Sequence, residues 1–108
     1  MTKVWFDAVD GGYAICAKDH ATGSETACAA VSGLMYALAG YLINAERDGL
    51  VHDVRGHLAP GDAVQQWSGG AEAEAAYDLT VIGLMQIARS YPQFVAIEWK
   101  TGANNQNK

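Results

Sequence analysis

The chain has 108 residues, half of them hydrophobic, with seven Lys or Arg against twelve Asp or Glu for a formal net charge of −5. That length supports one core and one domain, and an acidic chain without a Lys/Arg stripe excludes direct nucleic-acid binding, because it repels phosphate backbones. No run of about 18 uninterrupted apolar residues marks a membrane span and Met1-Thr2-Lys3-Val4-Trp5 lacks a signal-peptide layout, so a cytoplasmic protein with no membrane partner is expected.

Lys3 to Ala8 is rich in β-formers, Val9-Asp10-Gly11-Gly12 has turn chemistry, and Tyr13 to Lys18 resumes an apolar run, which predicts a hairpin ending just before His20. Thr26 to Glu46 is predicted as the first helix. Val31, Leu34 or Met35, Leu38 and Leu42 recur at helical spacing as its core stripe, and Asp48-Gly49 ends it. Gly33, Ala37 and Gly40 are small enough to admit another backbone closely, with packing inside the domain the simpler reading than a dimer seam.

Leu50 to His57 and Asp62 to Trp67 flank the turn-forming Ala59-Pro60-Gly61 and predict a second, partly exposed hairpin. Glu72 to Ser90 is predicted as the second helix. Its centre, Val81-Ile82-Gly83-Leu84-Met85, is apolar nearly all round, so it is expected to be the more buried of the two. Tyr91-Pro92 stops it, and Phe94 to Trp99 is predicted as a final strand suited to a sheet interior. The order hairpin, helix, hairpin, helix, strand predicts an α+β domain over residues 1–100. It is a two-layer sandwich, a mostly antiparallel sheet with two helices on one face. Residues 101–108, polar and rich in Asn, are expected to be a disordered tail.

The chemistry concentrates at Asp19-His20-Ala21 and, eight residues after the histidine, at Cys28. The turn-like Ala21-Thr22-Gly23-Ser24 puts Cys28 in the first turn of the first helix, where backbone N–H groups and the positive end of the helix dipole favour an ionised sulfur. An imidazole within reach completes a minimal device for acyl transfer: histidine takes the thiol proton and later gives it to the leaving amine. Asp19, beside the histidine, is a candidate to orient or charge the ring, against a reading as a solvated loop acid. A buried cysteine among small residues is more often a packing element than a nucleophile, so the spacing alone does not decide.

The string resembles the ribosomal-processing cysteine proteases, whose pattern is Gly-His-Ala, a variable loop, then Asp-x-x-Cys-Ala-Ala-Val-Ser. Here His20-Ala21 and Cys28-Ala29-Ala30-Val31-Ser32 match it, as does the layout of the whole chain. The resemblance implies a cysteine endopeptidase with Cys28 as nucleophile, His20 as general base and acid, and supporting roles for Glu25 and Ser32. It also implies a homodimer, and a peptide substrate: the short N-terminal extension of a basic large-subunit ribosomal protein, which an acidic surface would attract. Three departures stand out. Asp19 replaces the glycine before the histidine, Glu25 replaces the aspartate before the cysteine, and the loop between His20 and Cys28 is shorter. A catalytically inactive relative serving as a binding or assembly module is the alternative.

The remaining candidates carry less. His52 and His57, five apart, fall on opposite faces of a continuous strand and make poor joint ligands, with either one a minor rival to His20. Trp5, Trp67 and Tyr77 suit a peptide groove or, more commonly, core packing. Gly69-Gly70 has no Lys-Ser/Thr after it and is no phosphate loop. No cofactor and no metal are expected. Cys16 and Cys28 lack zinc-site or disulfide-framework spacing and are expected as free thiols, a bridge between them being unneeded.

Overall fold

The computed structural model describes residues 1–19, 24–59 and 61–99. His20 and the tail 101–108 therefore lie outside the described residues. The elements run β1 (Thr2–Val9), β2 (Gly12–Lys18), α1 (Glu25–Arg47), β3 (Val51–Ala59), β4 (Asp62–Gly69), α2 (Ala71–Ser90) and β5 (Val95–Trp99). The strands form one sheet in the order β3-β4-β2-β1-β5. β5 runs parallel to β1 and every other pairing is antiparallel. This is the expected α+β sandwich, and its smallest dimension, 16 Å, is that of one helix layer on one sheet.

Alternation decides which face is covered. Thr2, Val4 and Phe6 of β1, Ile15 and Ala17 of β2, and Ala63, Gln65 and Trp67 of β4 are buried under the helices, while Lys3, Trp5, Asp7, Ala14, Cys16 and Val64 alternate to the other, open face. From above, α1 contributes Val31, Met35, Leu38 and Leu42, and α2 contributes Ala73, Tyr77, Val81 and Leu84. An aromatic cluster fills one end: Phe6 meets Tyr77 edge-on at 6.4 Å and Trp99 at 4.9 Å, and Tyr13 stacks on Trp67 at 5.8 Å. The Trp67 indole N–H donates to the Ala73 carbonyl at 3.0 Å, which satisfies a buried donor and ties β4 to the start of α2. α1 is long and apolar enough to cross a bilayer by length and composition, yet its apolar stripe is spent on this core.

One close approach requires glycine: a Cβ on Gly56 would overlap the Val64 carbonyl oxygen. At Gly83 a Cβ would come within 2.6 Å of Leu34 Cδ2, the movable end of a side chain, so α2 meets α1 closely there without demanding glycine. Gly33 and Gly40 are different. They face outward with open space beyond, so packing inside the domain does not account for them.

The structure corrects two further expectations. α2 is no more buried than α1: Val81 and Leu84 enter the core, but Ile82 is 57% and Met85 39% exposed. β5 is an edge strand, not an interior one, and only Val95 on it is fully buried. Its apolar residues serve contacts such as Trp99 on Phe6 instead of a second flanking strand.

Candidate active site

β2 and α1 position the candidate residues. β2 ends at Lys18, and the Asp19 amide donates to the Gly61 carbonyl at 2.7 Å, pinning the end of this strand to the tip of the β3–β4 hairpin. Asp19 is exposed and has φ 60°. That left-handed conformation is natural to glycine and, among other residues, best tolerated by Asp and Asn. A glycine here, as in the resembling family, would meet the same backbone demand, so Asp19 keeps the turn.

α1 opens with Ser24 as N-cap: its Oγ accepts from the Ala27 amide at 3.2 Å, and its carbonyl accepts from the Cys28 amide at 2.9 Å. Cys28 is half-buried in the first turn, behind the exposed Glu25, whose carboxylate suits the positive helix end. Glu25 therefore places a carboxylate in the first turn, three residues before Cys28. Ser32, four residues on, shares Cys28's side of the helix and lines a small cavity with Leu58, Ala59 and Ala63 of the β3–β4 hairpin. The structure thus brings Cys28 and Ser32 onto one flank of α1, with the hairpin that holds Asp19 beside it. His20 is outside the described residues, and so is the Cys28–His20 contact.

The rival histidines are elsewhere. His57 Nε2 and Asp62 Oδ2 are 3.1 Å apart, and both alternate to the open face, away from α1. His52 is exposed and lies 3.9 Å from Asp53. Cys16 is on the open face too, on the other side of the sheet from Cys28, and no disulfide joins the two. Among the described residues no group of His, Cys, Asp and Glu could hold a metal ion. Trp67 and Tyr77 are core residues, not a peptide groove. The β3–β4 hairpin is legible in the sequence, but its place beside Ser32 is not, because Leu58 and Ala59 carry no motif.

Solved structures place this architecture. A structure of the essential ribosomal processing protease Prp from S. aureus, with a covalently linked product peptide, superposes with a TM-score of 0.72 over 93% of this chain and all of that one, at 17% identity. The chain carries the Prp fold. The same protease with a substrate peptide gives 0.67 at 16% identity over 93% of this chain and all of that one. SMU.848 from Streptococcus mutans gives 0.63 at 20%, covering 94% of this chain and 95% of that one. No protein-family model and no curated protein matches the sequence.

Proposed function

We propose that this chain is a cysteine endopeptidase of the ribosomal-processing type. The observation that carries the reading is the coincidence of a whole-chain Prp fold, known with peptides bound, with a half-buried cysteine in the first turn of α1. In the proposed reaction Cys28 Sγ attacks the scissile carbonyl carbon while the His20 imidazole accepts the thiol proton. The tetrahedral intermediate collapses, the C–N bond breaks, and His20 delivers that proton to the leaving amine. Water, deprotonated by His20, then hydrolyses the thioester and restores the thiol. Glu25 and Ser32 support the first turns around the sulfur, and Asp19 sets the backbone that leads into His20.

The substrate we assign is the N-terminal extension of a basic large-subunit ribosomal protein in the cytoplasm, drawn by a chain of net charge −5. The active unit is a homodimer. The outer face of the helix pair leaves Leu79 70%, Ile82 57% and Tyr41 42% exposed, around an apolar groove of about 260 Å³ between Leu34, Ala37, Tyr41, Ala75 and Leu79. Two helices of about 30 Å offer roughly 600–800 Å², the share one partner contributes to a standard interface. On α2 Glu72, Glu74 and Asp78 fall in the first half and Arg89 in the last turn, so antiparallel pairing with a second copy sets opposite charges together.

The test is cleavage of a peptide spanning a ribosomal protein's N-terminal extension, read by mass spectrometry, with native chain, Cys28→Ala and His20→Ala. Cleavage at one bond, lost in both variants, supports the protease. A folded native chain that leaves the peptide intact, and whose Cys28 alkylates no faster than Cys16, supports the inactive binding module instead.

A further inference from the structure

The open face of the sheet holds a depression of its own. At the Gly12 end of β2, six residues or about 20 Å along the strand from Lys18 and on the face opposite the helices, lies a depression of about 440 Å³ whose lining includes Asp7, Ala14, Asp53, Arg55, Gln66 and Ser68. Its shape follows from the register. Asp7, Ala14, Gln66 and Arg55 sit side by side across four strands, so the row runs from one charged wall to another over the methyl of Ala14 and the amide of Gln66.

Those walls are not spent on each other. Asp7 and Arg55 are three strand spacings apart, about 14 Å between Cα atoms, too far to pair directly. One Asp7 carboxylate oxygen is buried without a hydrogen-bond partner among the described residues, and buried polar oxygens in folded proteins are nearly always paired. Arg55 is exposed and makes no ion pair among the described residues. β3, the edge strand that carries Arg55, is also distorted: a bulge separates His52 from Arg55, and Asp53 within it has φ 56°. Such bulges re-aim side chains and gather near binding sites.

A ligand that satisfies both walls carries an ammonium at one end and a carboxylate at the other, some 6–10 Å apart once both side chains reach inward, which is the span of two or three residues of extended chain. We propose that this depression binds a short peptide with free termini, its ammonium on the Asp7 carboxylate and its carboxylate on the Arg55 guanidinium. The Gln66 amide and the Ser68 hydroxyl face its peptide groups. Two charge-assisted contacts in a shared cleft give selectivity for free termini over blocked ones. The site is separate from Cys28 and stands whether or not the chain is a protease.

The experiment is a titration of the full ¹⁵N-labelled chain with trialanine, and with N-acetyl-trialanine amide as the blocked control, following backbone amide signals. The expected result is saturable shifts at Ala14, Gln66 and Ser68 with trialanine, weakened at least about tenfold by blocking the termini and by Asp7→Asn or Arg55→Gln. Arg55 is exposed, so its variant tests the site even where Asp7→Asn disturbs folding. The proposal is overturned by shifts that fail to saturate up to about 10 mM, by equal response to the blocked peptide, or by shifts confined to Ala27–Ala30, which would assign the peptide to the candidate active site.

Discussion

Ser24 and Cys28 are joined through the backbone, the Cys28 amide donating to the Ser24 carbonyl at 2.9 Å, while the Ser24 hydroxyl caps the Ala27 amide. The residue that starts α1 therefore also sets the orientation of the candidate nucleophile. Ser24→Ala removes the side-chain cap and is expected to cost about 1 kcal/mol in urea unfolding. Peptide cleavage should fall with it, whereas Ser24→Asp, which restores a capping oxygen, should recover both.

Asp19 tests whether backbone shape or carboxylate matters beside His20. With φ at 60°, Asp19→Gly is expected to be neutral or stabilising by up to about 1 kcal/mol and to keep cleavage. Asp19→Val, β-branched in a left-handed conformation, should lose both. A loss of cleavage in the glycine variant with stability intact would instead assign the role to the carboxylate.

Tyr77 predicts an alkaline limit to stability. Burial first, then the Asp7 and Asp78 charges, push its phenol from the ordinary 10.0 up to about 12. Below pH 10 the phenol is neutral folded or unfolded. Between about pH 10 and 12 the unfolded chain releases the proton and the folded one holds it, so stability falls as pH rises through that window. Its hydroxyl has no hydrogen-bond partner among the described residues. Tyr77→Phe should therefore match the native chain in thermal unfolding at neutral pH and exceed it above pH 10.

The helix face predicts a separable association. Leu79→Lys and Ile82→Lys replace side chains that are 70% and 57% exposed, so each is expected to change the stability of the single chain by no more than about 0.5 kcal/mol. Both should convert a dimer to monomer in sedimentation velocity. Unchanged sedimentation in both would leave this face without the second copy.

The residues that spoke clearly in the sequence are those whose signal is local. The stripe Val31, Met35, Leu38, Leu42 fixed the buried side of α1, and the turn residues at Asp10-Gly11 and Pro60-Gly61 marked both hairpins. Cys28 in a first turn followed from the small and polar residues before it. Less legible was anything that depends on a distant partner. Ile82 and Met85 look like core residues in composition, and only the placement of α1 and the sheet shows that they face away. Phe94 to Trp99 reads as an interior strand because an apolar run does not say whether one strand or two will flank it. The row from Asp7 to Arg55 exists only through the pairing of four strands, which no spacing along the chain encodes.

That pairing bears on how the molecule is made. β1, at the start of the chain, is flanked by β5, near its end, with the Thr2 amide donating to the Phe94 carbonyl at 2.7 Å and Trp99 closing over Phe6. During synthesis β1 to β4 and both helices emerge first, but the Phe6 side of the core stays open to water until β5 clears the exit tunnel. The core is therefore completed only when β5 docks beside β1, and Cys28, made long before β5, lacks the finished scaffold around it until then.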